Sequence, residues 1–372
     1  MPMSNIVPSG EARLVERAKM FGQPINGALE LLPLCNLNCK MCYVRLSRGE
    51  MEILGRLRTG AEWLDLGRQM AQAGTLFLQL TGGEPLLHPD FKEIYTGLQR
   101  LGMILTVNTN GTLIDKDWVD FFAAHRPRRL NITLYGADEE TYRRQCGSGE
   151  AFHRVVKAVR MLRERGVDVK LNGSMTPQIR EDLPRMAALA RSLDVPIHVD
   201  PYMMPAARER SRAFDQQSRL SPEDAAAVAV DFQRITRPPE VFREEAARCL
   251  AAVDAFEPGQ EAPAVPGCMA GRCGFTVSWL GRLQPCEVLT EPGIDVFEMG
   301  FQVAWDRLRE DYARLRYCSA CTVCRLRPLC SPCPAACLLE TGDHLGRPDY
   351  LCRYAQAYEA VLRQLLEDGN EG

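Results

Sequence analysis

Only five histidines occur among 372 residues, aromatic residues make up 7%, and the formal net charge is −3. Near-neutral charge gives no general attraction to a polyanion, so nucleic acid is not an expected partner. No apolar run approaches the roughly 20 residues that span a bilayer, and the start Met1-Pro2-Met3-Ser4-Asn5 has no signal-like apolar core. No membrane association is expected, and the chain reads as cytoplasmic. No run of like charge is long enough for a disordered tail. With 46% hydrophobic and 25% charged residues, the composition is that of a globular protein. What the sequence has in excess is cysteine, fifteen in all. In a reducing cytosol these are not a disulfide framework, and their bunching at short spacings points to metal or cluster ligation.

The length favours a large domain with a smaller one appended. From Ala28 to about Val199, short apolar runs alternate with amphipathic stretches of helical period, the pattern of repeated β-α units. The strand candidates are Ala28 to Leu34, Leu76 to Thr81, Ile104 to Asn108, Leu130 to Leu134, Val167 to Asn172 and Ile197 to Val199. Several lead into Gly-bearing turns, at Gly82-Gly83, Gly111, Gly136 and Gly173, which places those turns at the carboxyl ends of the strands. In parallel α/β architectures that end carries the active site. Six units give an open parallel barrel, although a doubly wound flat sheet would produce a similar string. After Pro266, ten of the fifteen cysteines lie between Cys268 and Cys352 with few long apolar runs between them, as in a domain folded around metal centres. The expected division is a helical extension over 1–24, a core over 25–205, a helical bridge over 206–265 and a cysteine-rich domain over 266–372.

Cys35-Asn36-Leu37-Asn38-Cys39-Lys40-Met41-Cys42 is a Cys-x3-Cys-x2-Cys loop directly after the first strand candidate. Three thiolates cannot close a four-iron cluster, so one iron keeps a position for a small ligand. A three-cysteine zinc site or buried structural thiols would share the spacing. Leu80-Thr81-Gly82-Gly83-Glu84-Pro85 ends the next strand, where two glycines permit close backbone approach and Glu84 offers a carboxylate to a cation.

In this order the two motifs resemble the radical S-adenosylmethionine (SAM) superfamily. The resemblance implies a partial (β/α)6 barrel, a SAM-binding [4Fe-4S] cluster on Cys35, Cys39 and Cys42, and SAM held by Gly82, Gly83 and Glu84. The residue before the third cysteine, often aromatic in that family, is Met41 here. The likeness continues through Asn108-Thr109-Asn110-Gly111, Ile132-Thr133-Leu134-Tyr135-Gly136 and Leu171-Asn172-Gly173-Ser174. It thereby nominates Asn110, Thr133, Asn172 and Ser174 for contact with SAM or substrate.

The C-terminal cysteines resemble a SPASM domain, which binds two auxiliary [4Fe-4S] clusters around a β-hairpin, here Thr276 to Leu280 and Leu283 to Leu289 about Gly281. By that resemblance the nearer cluster takes Cys268, Cys273, Cys286 and either Cys333 or Cys337, with Cys333 preferred. The farther takes Cys321, Cys324, Cys330 and Cys352, and Cys318 could displace Cys321 by a register shift. Cys146 and Cys249 read as packed side chains. Two zinc knuckles are the alternative for the array.

The family chemistry is reductive cleavage of SAM to a 5′-deoxyadenosyl radical that abstracts hydrogen from a substrate. Glu287, next to Cys286, is the candidate proton acceptor. Tyr135 and Arg143 could line the same cavity, though an aromatic packing residue and a solvated arginine are the simpler readings. Proteins of this layout commonly modify ribosomally made peptides, forming thioether or carbon–carbon crosslinks. An anaerobic sulfatase-maturing, formylglycine-forming enzyme is the alternative, and a non-catalytic iron–sulfur or zinc protein the alternative of another class. The implied partners are a peptide or protein substrate and an electron donor such as flavodoxin or ferredoxin. Because only 34 residues precede Cys35, recognition of a leader peptide would need another surface or a separate peptide-recognition protein.

Overall fold

The structure is a computed structural model that describes residues 9–205, 218–257 and 268–368. The remaining residues, on which both ends of the expected bridge fall, lie outside the described ones.

Six strands stand side by side in chain order, all parallel: β1 (Asn26–Glu30), β2 (Phe77–Thr81), β3 (Ile104–Thr109), β4 (Arg129–Thr133), β5 (Val169–Ser174) and β6 (Ile197–Asp200). A doubly wound sheet reverses its strand order partway across. This one does not, so the barrel-type winding is the one adopted.

Within each strand the side chains alternate as a pleat requires. Leu78 and Leu80, Leu105 and Val107, Leu130 and Ile132, and Val169 and Leu171 are buried against the helices. Their neighbours Gln79, Thr81, Asn108, Asn131, Thr133, Asn172 and Ser174 fall on the other face. The apolar layer therefore lies outside the curved sheet, and the inner face is polar.

Helix α1 (Ser9–Phe21) precedes β1, and α2 (Arg48–Leu54) and α3 (Gly60–Gln72) lead to β2. Then α4 (Phe91–Arg100) follows β2, α5 (Lys116–Ala124) follows β3, α6 (Glu139–Cys146) and α7 (Glu150–Glu164) follow β4, and α8 (Leu183–Ser192) follows β5. Local sequence sets several helix starts. Thr59 caps α3 in a reciprocal box with Glu62, and Asp115 and Asp138 accept the third backbone N–H of α5 and α6. Phe91, Tyr95, Trp118, Phe121 and Phe122 pack edge-to-face between α4 and α5.

The cysteine-rich segment is joined to the barrel through the sheet itself. Strand β7 (Gly274–Val277) pairs in parallel with β1, and β8 (Arg282–Gln284) and β9 (Ile294–Asp295) extend the sheet antiparallel, giving nine strands in the order 6-5-4-3-2-1-7-8-9. The expected hairpin is thus present about Gly281, whose φ of 87° suits a glycine. Helices α9 (Pro222–Thr236) and α10 (Pro239–Asp254) come before it, and α11 (Val296–Met299), α12 (Phe301–Ala313), α13 (Ser319–Thr322), α14 (Pro334–Thr341) and α15 (Asp349–Asp368) after it. The last of these closes against α9, where Gln233 Nε2 donates to Tyr358 Oη at 2.6 Å.

Candidate functional site

A cavity of about 490 Å³ opens at the carboxyl ends of β1 to β6. Cys35, Cys39 and Cys42 line it, and so do Gly82 and Gly83. Asn110, Thr133, Asn172 and Ser174 complete the walls. Every residue nominated near SAM from the sequence except Glu84 is therefore gathered at one mouth.

The turn at Gly82-Gly83 explains how the cysteine loop is held there. Past the end of β1 the chain keeps pairing with β2, since Leu31 N donates to Thr81 O at 2.9 Å, Gly83 N to Leu32 O at 2.8 Å and Glu84 N to Leu34 O at 2.9 Å. A Cβ on Gly83 would sit 2.4 Å from Leu34 O, and Gly82 has φ 145° with Leu32 O 2.5 Å from its would-be Cβ. Only glycine permits that approach.

The loop is also docked on the end of α6: Asn38 N donates to Cys146 O at 3.3 Å and Lys40 N to Gln145 O at 3.0 Å. Gln145, fully buried, donates to Met41 Sδ at 3.0 Å and accepts from Thr176 Oγ1 at 3.1 Å. Met41, the departure from the family pattern, thus has a specific partner.

Cys35 Sγ accepts from Leu37 N at 3.4 Å and Asn110 Nδ2 at 3.6 Å, and Cys42 Sγ accepts from Arg45 N at 3.3 Å. Burial pushes the Cys35 thiol up to about 12. Cys39 is held well above its ordinary value by its hydrogen bond with Cys146 and by burial. Unliganded, Cys35 and Cys39 stay protonated, and a bound cluster would draw them to thiolates, with N–H donors already placed on the sulfurs of Cys35 and Cys42. Among the described residues no three His, Cys, Asp or Glu side chains converge on one ion-sized point. A four-iron cluster takes its thiolates at separate corners, so the loop fits that group. Asn172 Oδ1 is buried without a partner in the cavity wall, leaving an acceptor for a bound molecule.

Glu84 stands apart from the other nominated residues. Its side chain is fully buried and lies outside the cavity wall. Oε1 accepts from Leu86 N at 3.1 Å and Thr109 Oγ1 at 2.7 Å, and Oε2 accepts from Asn110 N at 2.8 Å. The carboxylate ties the turn after β2 to the turn after β3. Burial raises its pKa to about 7 against those three donors. Asn110 is fixed in turn, its Oδ1 accepting from Thr112 N and Oγ1 and its Nδ2 donating to Asn36 Oδ1. Tyr135 lines the cavity, whereas Arg143 is on the surface with Glu140 at 2.6 Å.

Two further thiol groups stand in the C-terminal part. Cys268, Cys286 and Cys333 line a cavity of about 1020 Å³, with Cys273 packed beside it against Ala18, Ile25 and Met269. A smaller cavity of about 210 Å³ is lined by Cys321, Cys324, Cys330 and Cys352, the four expected together. Cys337 does not join the nearer group. It is fully buried on α14 with Tyr317, Cys318 and Cys321, which leaves Cys333 facing the nearer cavity. Glu287 lines both the barrel-mouth cavity and the nearer cysteine cavity, as do Met204 and Val288, and Gln79 Nε2 donates to Glu287 Oε1 at 3.0 Å.

Sequence reasoning missed Gln79, Gln145 and the contact of Cys146 with Cys39. Gln79 could have been found by alternation, two residues before Thr81 on the polar face of β2. The other two belong to a helix end that no motif marks.

Residues 29–190 match the model of the radical SAM superfamily. The chain is 26% identical over 346 residues to the AdoMet-dependent heme synthase of Methanosarcina barkeri, covering 88% of this chain and 95% of that protein. It is 24% identical over 358 residues to the PqqA peptide cyclase of Bradyrhizobium diazoefficiens, covering 93% and 90%. Its fold is similar to that of Streptococcus suis SuiB, with a TM-score of 0.68 at 18% identity over 92% of this chain and 81% of that one. The non-catalytic alternative falls with these matches. A cysteine loop held at the mouth of a singly wound parallel barrel, inside a matching family model, makes the chain a radical SAM enzyme whose cofactors are SAM and an iron–sulfur cluster.

Proposed function

We propose that the chain modifies a ribosomally made peptide by radical chemistry, closing a thioether or carbon–carbon crosslink. The observation that carries this reading is Glu287, which stands where the barrel-mouth cavity meets the nearer cysteine cavity, with its carboxylate held by Gln79. Two likenesses favour a peptide: one relative is named a PqqA peptide cyclase, and SuiB has been solved bound to the precursor peptide SuiA. They are likenesses of whole proteins and lend the substrate class by analogy.

When bound, SAM and its cluster supply the 5′-deoxyadenosyl radical that removes a substrate hydrogen atom, and clusters on the two C-terminal thiol groups supply a path for an electron. The nearer set is read as Cys268, Cys273, Cys286 and Cys333, the farther as Cys321, Cys324, Cys330 and Cys352. The chain's own part is to orient the peptide along the polar inner face and to take up a proton. Glu287 accepts the proton released as the substrate is oxidised, and Gln79 fixes the carboxylate for that transfer. Gly82, Gly83, Asn110, Thr133, Asn172 and Ser174 would contact SAM or substrate, with Asn172 Oδ1 the free acceptor. A flavodoxin or ferredoxin would deliver the electron, and a separate protein could present the peptide. Among the described residues no helix is long and apolar enough to cross a membrane, consistent with a cytoplasmic setting.

The test is anaerobic incubation with SAM, a strong reductant and short peptides encoded beside the gene, followed by mass spectrometry. A peptide that loses two hydrogens and gains a crosslink supports the reading. A Cys or Ser converted to formylglycine in a sulfatase peptide would favour the alternative. In Glu287→Gln, deoxyadenosine should still form while peptide oxidation falls by about 100-fold or more. Unchanged peptide oxidation would remove Glu287 from the reaction.

A further inference from the structure

Fifteen cysteines exceed the eleven that three clusters use in this reading, and two of the four left over, Cys318 and Cys337, stand beside the outer group. Cys318 precedes α13 as its cap residue, and Cys321 N donates to Cys318 O at 3.0 Å, closing one turn that sets the two side chains on the same side. Their side chains pack together in one buried cluster with Tyr317 and Cys337. Cys321 is in the wall of the outer cavity, and Cys318, 5% exposed, is one thiol behind it in the same packed cluster. Cys337 is differently placed. It lies fully buried on α14, in the same cluster as Cys318 and Cys321.

We infer that Cys318 is a reserve ligand for the outer cluster, packed beside Cys321 one helical turn away and able to take its coordination position. The inference rests on the reading of Cys321, Cys324, Cys330 and Cys352 as cluster ligands. In the exchange the iron–sulfur bond to Cys321 breaks and one to Cys318 forms. The proton leaving Cys318 passes to Cys321, so no oxidant or reductant is consumed. Cys318-x2-Cys321-x2-Cys324 thereby offers three thiols for two positions. A cluster so held survives loss or oxidation of the middle one.

The experiment is iron and sulfide content, with low-temperature EPR, of the full chain reconstituted anaerobically as wild type, Cys318→Ala, Cys321→Ala and the double variant. Wild type and both single variants should hold about twelve irons per chain, and the double variant about eight. The change of the first cluster's EPR signal on adding SAM checks that each variant is folded. About eight irons in Cys321→Ala alone, with twelve in wild type, overturns the inference, as does a double variant that keeps all twelve. About four irons in wild type overturns the ligand reading itself, which is a separate result.

Discussion

At Glu84 a carboxylate with no exposed surface has one backbone N–H on each oxygen, Leu86 on Oε1 and Asn110 on Oε2. That geometry makes the isosteric change informative. In Glu84→Gln either orientation of the amide points its NH2 group at a backbone N–H. The variant should therefore lose about 1–3 kcal/mol, although it removes a buried charge. Denaturant unfolding of the cluster-free protein measures it, and a variant as stable as wild type would show that the two turns do not depend on this tie. The cysteine loop and the Gly-Gly-Glu turn were legible from the sequence because their spacing follows from chemistry: thiols for a cluster, glycines for close approach. The direction of the Glu84 side chain was not legible. It depends on Thr109 and Asn110 arriving from another strand. The same limit applied to Cys333 and Cys337, one helical turn apart on either side of the start of α14. Which of them faces the nearer cavity is set by the entry of that helix.

The elements were read from periodicity, and their identities and order match because β2 to β5 alternate strictly between the apolar outer layer and the polar inner face. Boundaries moved where backbone pairing outran the strand. The first candidate, Ala28 to Leu34, proves to be a strand ending at Glu30 followed by a paired lead into the cysteine loop. The turn between β2 and α4 carries a titratable group of its own. His88 Nε2 donates to Arg58 O at 2.9 Å, so Nδ1 accepts from Asp90 N at 3.1 Å, and the ring is neutral. Burial holds its pKa below the ordinary 6.5. The folded state then binds fewer protons than the unfolded one. The stability that His88 contributes is present above pH 6.5 and is lost as pH falls below it. The stability difference between wild type and His88→Ala should shrink between about pH 7.5 and about pH 5.5. A constant difference would mean that the ring's charge state does not matter to this turn. Glu84 works the other way. Its pKa, raised from 4.5 to about 7, gives a folded state that binds more protons and a stability that declines as pH rises through that interval. The His88 comparison by variant separates the two.

Across the whole molecule, sheet continuity decides how the parts communicate. Because β7 pairs with β1, the cysteine-rich segment is in register with the barrel, and the nearer cysteine cavity meets the barrel mouth at Met204, Glu287 and Val288. The sequence placed a hairpin about Gly281 but gave no sign that it would extend the core sheet, since strand neighbours distant in the chain leave no local pattern. The central claim, that the chain uses a cluster at the barrel mouth to cleave SAM, is tested most directly by one combined measurement. Iron and sulfide are determined on anaerobically reconstituted protein, and 5′-deoxyadenosine is sought by chromatography after adding SAM and a strong reductant. The account predicts about twelve irons per chain together with deoxyadenosine. Zinc in place of iron, with SAM left intact, would contradict it.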